Sequence, residues 1–402
     1  MNFNTRTLGN ICDEVGGIIR TGPFGSQLHE SDYQDEGVPV IMPKNIIDGK
    51  VSTEGIARIG DFDVSRLSQH RLQKGDIVYG RRGDIGRRAL ITEREDGWLC
   101  GTGCLRISLG NSVLDPVFLY YYLGQLQVIS WIYNKAIGAT LPNLNTDIIR
   151  SVPITYPPLP TQRKIAAILS AYDDLIENNT RRIKLLEEMA QALYREWFVK
   201  FRFPGHEKVR MVESELGMVP EGWDVKKLGD VVELAYGKAL KADDRVEGSF
   251  PVYGSGGVVG YHNECLVKGP GIIVGRKGNV GSVYWSDYDF FPIDTVYYVK
   301  SIIPLPYIYY NLQSQNFINN DAAVPGLNRN QAYMLPFLLP KKDILLNFEN
   351  FVKDVFRHTK NLRNKNANLR RTRDLLLPKL ISGEMDVENI QVRMKNNGSG
   401  GA

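Results

Sequence analysis

Two copies of one ordered set of sequence landmarks fill most of this 402-residue chain, and the duplication constrains its fold more than any other feature. Gly80-Arg-Arg-Gly-Asp-Ile-Gly86 recurs as Gly275-Arg-Lys-Gly-Asn-Val-Gly281, at an offset of 195 residues. The order of the landmarks is kept while the offset shrinks from 220 at Leu8 to 183 at Leu144, so the first copy holds 37 extra residues in its loops. Self-similarity at so long a period predicts two related domains rather than a solenoid.

Each copy ends in a segment whose apolar residues follow the 4-3 spacing of a heptad seam. Both seams have ten positions at a constant offset of 183 and cover 33 residues, which is about 50 Å of helix. Because a long helix with one apolar stripe is not stable alone in water, we predict that the two helices pair; packing of each helix on its own domain is the alternative. The expected helix-pairing residues are Ile165, Leu169, Tyr172, Ile176, Leu186, Leu193, Phe348, Val352, Val355, Leu362, Leu369 and Leu376.

Polar residues interrupt these seams in two ways. Asn179 and Asn366 occupy seam positions, where a polar side chain either fixes the register or marks a partly exposed seam. From Lys360 to Arg373 the second helix carries six basic residues and no acidic one. That stretch either faces DNA, or is solvated or meets an acidic partner.

Short β-rich runs with Gly or Asp punctuation, such as Gly271-Ile-Ile-Val274, indicate a mixed α/β fold (α+β) for the globular parts. We expect two such domains, joined by two long antiparallel helices that form a coiled coil. The expected segments are a first domain at 1–158, a central helix at 159–203, a second domain at 204–340, a C-terminal helix at 341–385 and a linker-like tail at 386–402.

The composition and the termini exclude several classes of protein. Hydrophobic residues make up 43% of the chain and charged residues 23%, which is a globular balance, and the net charge is only +4. Any surface for nucleic acid must therefore come from local clustering of basic residues. The N-terminus lacks a signal pattern, and no apolar stretch reads as a membrane span, so we expect a cytoplasmic protein with no membrane contact. Four scattered cysteines (Cys12, Cys100, Cys104 and Cys265) predict buried thiols and no metal site.

The motifs of common nucleotide and DNA enzymes are missing from the sequence. It contains no GxxxxGK[ST] phosphate loop, no Glu-x-Lys of the commonest metal nucleases, and no HExxH. The one double proline, at Pro157-Pro158, lacks the preceding Asn or Asp of an amino-methyltransferase. We therefore expect a binding module without catalytic residues rather than an enzyme.

Basic residues flank a glycine turn in both copies, and this arrangement suits nucleic acid. Guanidinium groups read guanine edges or grip phosphates, and Asn reads adenine; solvated surface hairpins are the alternative. The Asn and Arg residues at 143, 145 and 328–330 either contact bases or cap a helix. The candidate DNA-binding residues are Lys44, Asn45, Arg81, Arg82, Arg87 and Arg88 in the first copy, and Lys268, Arg276, Lys277 and Asn279 in the second.

Several motifs, in this order and duplicated, resemble those of one known family. The first copy carries Gly22-Pro-Phe-Gly-Ser-Gln-Leu28, Gly37-Val-Pro-Val-Ile-Met-Pro-Lys-Asn45 and Pro157-Pro-Leu-Pro-Thr-Gln162. The second carries Ser214-Glu-Leu-Gly-Met-Val-Pro-Glu-Gly-Trp223 and closes with Leu376-Leu-Pro-Lys-Leu-Ile-Ser-Gly-Glu384. With these motifs the chain resembles the specificity subunit of type I restriction–modification systems over nearly all of residues 1–390.

The resemblance implies two target recognition domains, each reading one half of a split, asymmetric site in double-stranded DNA. The paired helices would act as a spacer and as the dock for two methylation subunits, which a translocase or nuclease subunit joins. The chain itself would hold no cofactor, since S-adenosylmethionine is expected on the methylation subunits. The alternative is a stand-alone DNA-binding regulatory protein with duplicated recognition domains.

Overall fold

A computed structural model describes residues 3–81, 86–110, 113–136, 144–317 and 326–391. The chain forms two compact units. The first unit comprises Met1–Glu177 and Ala367–Ala402, and the second comprises Asn178–Asn366. The boundary between the units falls inside both long helices, which span Leu159–Tyr194 and Lys342–Ser382. A π-helical turn at Arg195–Val199 follows the first of them.

The first unit is built from short strands and short helices, with parts of the two long helices. Its main antiparallel sheet has the strand order β2-β11-β8-β9, a second has the order β10-β4-β7-β3, and β1 pairs with β12 and β5 with β6. The strands are β1 (Asn4–Thr7), β2 (Ile18–Thr21), β3 (Tyr33–Gln34), β4 (Val38–Ile41), β5 (Ile46–Ile47), β6 (Lys50–Val51), β7 (Ala57–Ile59), β8 (Ile77–Gly80), β9 (Arg88–Leu90), β10 (Leu99–Cys100), β11 (Cys104–Ser108) and β12 (Pro153–Tyr156). The helices are α1 (Leu8–Glu14), α2 (Asp61–Arg66), α3 (Pro116–Tyr122), α4 (Leu126–Lys135), α5 (Thr146–Arg150) and α6 (Leu159–Tyr194), of which α6 continues into the second unit.

The second unit repeats this plan. Its main sheet has the order β16-β22-β19-β20, a second has the order β18-β17-β21, and β13 pairs with β14 and β15 with β23. The strands are β13 (Met211–Ser214), β14 (Gly217–Pro220), β15 (Asp224–Lys227), β16 (Glu233–Tyr236), β17 (Phe250–Gly254), β18 (Gly257–His262), β19 (Gly271–Gly275), β20 (Val283–Ser286), β21 (Phe291–Pro292), β22 (Val296–Lys300) and β23 (Pro336–Leu339). The helices are α7 (Leu228–Val231), α8 (Leu305–Ser314), α9 (Arg329–Tyr333) and α10 (Lys342–Ser382), of which α10 ends in the first unit.

Corresponding strands have the same neighbours and directions in the two units. The order β2-β11-β8-β9 matches β16-β22-β19-β20, and the antiparallel pair β1–β12 matches β15–β23. The parallel pair β4–β10 likewise matches β17–β21. The mixed α/β fold with an internal repeat is thereby confirmed. The longer β4–β8 connection of the first unit carries β5, β6, β7 and α2, which accounts for much of its extra length.

Each unit has its own apolar core, in which the tyrosine clusters take part. Tyr121 and Tyr122 are buried with Phe118 and Leu119 in the first unit. Tyr307 and Tyr310 are buried in the second unit, where Tyr307 packs edge-on against Phe337. These apolar i, i+3 and i+4 neighbours direct one face of α3 and one face of α8 to the core.

Within each unit, α6 lies beside α10 and runs in the opposite direction. In the first unit Asp173 on α6 pairs with Arg373 on α10, and Lys164 donates from Nζ to the carbonyl oxygen of Glu388, just beyond the end of α10, at 2.6 Å. In the second unit the contacts link Asn179 with Asn366 and Glu187 with Arg363. Residue numbers rise along one helix as they fall along the other, so the pairing is antiparallel in both units.

All the predicted helix-pairing residues lie on buried or half-buried sides of the two helices. Ile165, Leu169 and Ile176 are buried on α6, as are Phe348 and Val352 on α10. Several of them belong to the globular cores, and residues of both helices are found in the core of each unit. The others are half-buried: Tyr172, Leu186, Leu193, Val355, Leu362, Leu369 and Leu376.

Candidate nucleic-acid interface

The basic turn of the first unit follows β8 and is anchored by backbone hydrogen bonds. The N–H of Arg81 donates to the carbonyl oxygen of Gly103 at 2.8 Å. The carbonyl oxygen of Arg81 in turn accepts from the N–H of Leu144 at 2.9 Å. At the base of the turn the N–H of Gly80 donates to the carbonyl oxygen of Arg87 at 2.8 Å. The turn is therefore fixed to two other loops at its first residue.

The second unit repeats these three hydrogen bonds at the corresponding residues. The N–H of Arg276 donates to Thr295 at 2.9 Å, and its carbonyl oxygen accepts from Leu327 at 2.8 Å. The N–H of Gly275 donates to the carbonyl oxygen of Ser282 at 2.7 Å. Because the same backbone groups form these hydrogen bonds in both units, the two turns are similar in geometry as well as in sequence.

A glycine next to each turn is required by close packing. The N–H of Gly22 donates to the carbonyl oxygen of Cys104, and that of Gly237 donates to the carbonyl oxygen of Val296. A β-carbon on Gly22 would lie 2.0 Å from the carbonyl oxygen of Gly101, and one on Gly237 would lie 2.1 Å from that of Ile293. Any larger residue would push the neighbouring loops apart, so both units need glycine at this crossing.

Three of the candidate arginines use their guanidinium groups partly to hold loops. Arg81 donates from Nε to the carbonyl oxygen of Leu144 at 2.7 Å, and Arg276 donates from a terminal nitrogen to that of Asp294 at 3.0 Å. Arg88 donates from Nε to the carbonyl oxygen of Tyr120 at 2.8 Å and lies over its ring. These side chains position the turns as well as supplying positive charge.

The remaining candidates divide into exposed and buried side chains. Lys44, Arg87, Lys277 and Asn279 are exposed. Lys268 is also exposed but forms an ion pair with Asp289 at 2.7 Å, and this lysine holds the pKa of the Asp289 carboxyl below its usual value. Arg82 lies outside the described residues.

Asn45 does not have the exposure that base reading needs. Its side chain is only 1% exposed. Its Oδ1 accepts a hydrogen bond from the N–H of Met42 at 3.0 Å, across a turn of 3-10 helix at Pro43–Asn45. The amide therefore closes the turn from which Lys44 projects, and the structure corrects its predicted DNA contact to a structural one.

The asparagines before the short helices act as caps. Asn145 Oδ1 accepts from the N–H of Ile148 at 2.8 Å at the start of α5, and Asn328 Oδ1 accepts from the N–H of Asn330 at 2.9 Å at the start of α9. Capping, one of the two predicted roles, is confirmed for these two residues. Asn143 lies outside the described residues.

The basic stretch of α10 meets acidic residues at several points. Arg363 forms ion pairs with Asp287 and Glu187, and Arg373 forms one with Asp173. Lys360 donates to the backbone carbonyl oxygen of Asp287 at 3.0 Å. The acidic-partner interpretation holds for Arg363 and Arg373, whereas Lys365, Arg370 and Arg371 are exposed.

One aromatic residue of this region was missed in the sequence. Tyr236, the last residue of β16, has 48% of its surface exposed. The Cζ atom of Arg329 lies 4.8 Å from its ring centroid, and that of Arg276 lies 5.0 Å away. Its signal is the pair Tyr236-Gly237, which corresponds to Thr21-Gly22 in the repeat, so extending the repeat to that pair would have found it.

Two other kinds of feature are absent from the described residues. No group of His, Cys, Asp and Glu among them is arranged to hold a metal ion. Over the same part of the chain, no helix combines the length and apolar character needed to cross a membrane. Cys12, Cys100 and Cys104 are buried and Cys265 is half-buried, and burial raises the pKa of Cys12 to about 11 and that of Cys100 to about 12.

Comparisons with known proteins agree with this geometry. Residues 2–188 and 220–350 match the family described as the type I restriction modification DNA specificity domain. The chain is 25% identical over 399 residues to the type I restriction enzyme MjaIX specificity subunit of Methanocaldococcus jannaschii, covering 89% of each chain. It is 23% identical to the HindI specificity subunit of Haemophilus influenzae, covering 80% of this chain and 89% of that one. The crystal structure of the type I restriction–modification S subunit from M. genitalium shows the same fold, with a TM-score of 0.56, 18% identity and coverage of 94% of this chain and 96% of that one. The chain belongs to the type I restriction–modification DNA specificity family.

Proposed function

We propose that this chain is the DNA-recognition subunit of a type I restriction–modification complex and reads a bipartite, asymmetric site. The two recognition domains are residues 1–158 and 204–340, and each reads one half of the site. The observation that carries the proposal is the matched pair of basic turns, at Arg81 and Arg276, held by the same backbone hydrogen bonds in both domains. Because the turns differ in side chains but not in anchoring, each domain presents a different surface from an equivalent position.

The chemistry of the turns supports contact with DNA. Exposed Lys44 and Arg87 in the first domain, and Lys277 and Asn279 in the second, supply phosphate and base-edge contacts. A net charge of +4 over 402 residues gives the whole chain only a weak attraction for DNA, so its affinity rests on these local clusters.

The helical segments 159–203 and 341–385 form the spacer between the recognition domains in this proposal and provide the dock for two methylation subunits. Those subunits hold S-adenosylmethionine, and a translocase or nuclease subunit completes the complex. In this proposal the methylation subunits, and not this chain, catalyse methyl transfer. The pure chain, incubated with labelled S-adenosylmethionine and DNA, should transfer no methyl groups.

The proposal is tested by selecting randomised double-stranded DNA with the full chain bound to its methylation subunits. The expected product is a motif of two fixed half-sites separated by a spacer of constant length and variable sequence. The methylation subunits without this chain are the control and should enrich no motif. Recovery of unpatterned DNA by the full complex would contradict the proposal.

The same selection separates the complex subunit from a stand-alone regulator. A stand-alone regulator would enrich the same motif with the same affinity when the methylation subunits are left out. A specificity subunit gains affinity or selectivity from its partners, because they add phosphate contacts of their own.

A further inference from the structure

The second recognition domain contains a cluster of cationic and aromatic side chains that is not repeated at the corresponding described positions of the first domain. Tyr236 corresponds to Thr21, because each residue ends the strand that pairs with β22 or β11 at the matching register position. Arg329 corresponds to Thr146, because the capping residues Asn145 and Asn328 directly precede them. An aromatic ring and a guanidinium in one domain thus replace two threonines in the other.

The guanidinium of Arg329 is held by two aromatic rings. Its Cζ atom lies 4.8 Å from the ring centroid of Tyr236 and 5.9 Å from that of Tyr333. Arg329 is half-buried, and its Nε is fully buried without a hydrogen-bond partner among the described residues. Aromatic faces attract a cation and fix the plane of a guanidinium, but they leave its hydrogen-bond donors unused.

The rings that hold Arg329 are themselves fixed. Tyr236 packs against Tyr297, with ring centroids 5.1 Å apart, and the buried Tyr297 donates from its hydroxyl to the carbonyl oxygen of Leu327 at 3.2 Å. The hydroxyl oxygen of Tyr333 accepts from the N–H of Leu234 at 2.9 Å. Arg329 is therefore oriented by side chains tied to the sheet and to its own loop.

A second arginine lies beside the same ring, and the two positive charges have no acidic partner among the described residues. Arg276 lies 5.0 Å from the Tyr236 centroid, so both guanidinium groups share one aromatic ring. In the part of the chain that the structure describes, neither arginine forms an ion pair with a carboxylate, and Arg276 donates instead to the backbone carbonyl oxygen of Asp294. Two neighbouring cations repel each other, and an electron-rich group placed between or beside them would relieve that repulsion.

We propose that Arg329 is a specificity-determining residue that reads a guanine in the half-site of the second domain, and that Tyr236 is its positioning residue. The inference rests on the proposed function. A guanidinium fixed in plane by aromatic rings presents a rigid fork, which matches the O6 and N7 acceptor pair of guanine in the major groove. A flexible, exposed lysine such as Lys277 binds a phosphate oxygen equally well, so a phosphate contact does not require a guanidinium held in one plane.

The test is the randomised-DNA selection described above, repeated with variants of the full chain bound to its methylation subunits. Arg329→Met keeps the apolar stem and removes the charge. We expect it to reduce discrimination at one guanine position of one half-site by about fivefold to 150-fold, the range that one bidentate contact supplies. Arg329→Lys should not restore that discrimination, because an ammonium group has no fork. Arg210→Met, at an exposed arginine of the same unit, is the matched control and should leave the motif unchanged.

Variants of Tyr236 separate positioning from general folding. Tyr236→Ala should weaken discrimination at the same base pair as Arg329→Met, and Tyr236→Phe should restore it, because the ring rather than the hydroxyl carries the stacking. The other half-site should stay unchanged in every variant.

Two results would overturn the inference while the proposed function stands. One is a wild-type motif that Arg329→Met leaves intact. The other is a loss of binding by Arg329→Met that is equal for all sequences, which would identify Arg329 as a phosphate contact. A wild-type complex that enriches no motif is a different result, and it contradicts the proposed function itself.

Discussion

Lys277 is an exposed lysine of the second basic turn whose backbone N–H is bound to Thr295 at 3.1 Å. The backbone hydrogen bond holds the Cα of Lys277 in place, and the exposed ammonium group can reach a phosphate oxygen. Lys277→Ala should weaken DNA binding in proportion for all sequences. It should also reduce the slope of log affinity against log salt by about 0.9, the value for one phosphate contact.

The measurement is a titration of duplex DNA carrying the selected motif, at several salt concentrations, with the complex of the chain and its methylation subunits. Lys208→Ala, at an exposed lysine of the same unit outside the candidate DNA-binding residues, is the control and should keep the parent slope. An unchanged slope in Lys277→Ala would mean that the turn is a solvated surface hairpin.

The burial of His70 predicts that the stability of the chain depends on pH. Its side chain is 4% exposed, and burial together with the charge of Arg20 lowers its pKa below the ordinary value of 6.5. Between these two values the unfolded chain binds a proton that the folded chain does not. The free energy of unfolding should therefore fall as the pH drops below about 6.5.

Urea denaturation at pH 7.5 and at pH 5.5 measures this effect. His70→Gln should lose less stability than the parent over that interval, because glutamine does not titrate. His358→Gln, at an exposed histidine of α10, should keep the parent's pH dependence. Equal pH dependence in all three proteins would show that His70 does not carry the effect.

At the level of single residues, the sequence predicted which residues lie near the basic turns. It predicted less well which groups their side chains contact. Arg81 was predicted to contact DNA, and the structure adds that its Nε donates to the carbonyl oxygen of Leu144, 63 residues away along the chain. Asn45 was expected to read a base but closes a local turn. Residue type and spacing do not reveal these hydrogen-bond partners, because several backbone acceptors lie within reach of each side chain in the folded protein.

At the level of elements, two asparagines join α6 and α10 within the second unit. Asn179 donates from Nδ2 to Oδ1 of Asn366 at 2.9 Å, and Asn366 donates from Nδ2 to Oγ1 of Thr180 at 3.2 Å. Asn366 is 3% exposed, so its amide relies on these partners rather than on water. The two seam asparagines therefore contact each other directly. That they fix the register, one of the two interpretations offered for them, stays a prediction.

Asn366→Leu should destabilise the chain by about 1–3 kcal/mol, because it leaves the amide of Asn179 and the hydroxyl of Thr180 without this partner. The double variant Asn179→Leu with Asn366→Leu should recover most of that loss, since both polar groups are replaced by apolar ones. Urea denaturation measures both changes. Asn368→Leu, at an exposed position of α10, is the control, and a single variant as stable as the parent would contradict the expected dependence.

The long helices were the most predictable elements of the fold. Their 3.5-residue apolar period extends over 33 residues in each copy, and this signal exceeds any local propensity. The short strands carried weaker signals. Strands of two residues, such as β5 and β10, form only because neighbouring strands supply their hydrogen bonds, so their bounds were not visible in the sequence.

At the level of the whole molecule, the constant offset of 183 over ten seam positions predicts that neither helix changes length without the other. Inserting seven residues into both α6 and α10 preserves the 4-3 spacing and lengthens the paired helices by about 10 Å. The preferred DNA spacer should then grow by about three base pairs, at roughly 3.4 Å per pair.

The optimum is found by measuring binding or methylation with the partner subunits on DNA with a series of spacer lengths. Inserting seven residues into α6 alone should misalign the seam and lower stability instead. An optimum in the double insertion that equals that of the parent would mean that the helices do not set the distance between the half-sites.

The backbone hydrogen bonds at Arg81 and Arg276 have a consequence for how new specificities arise. Amide and carbonyl groups form the same bonds whatever side chains the residues carry. Exposed positions beyond these anchors, such as Lys277 and Asn279, can therefore be exchanged with little cost in folding. Under the proposed function, a chain built in this way can acquire a new target in one half of its site through a few surface substitutions, while the other half-site, the helices and the contacts with partners stay unchanged.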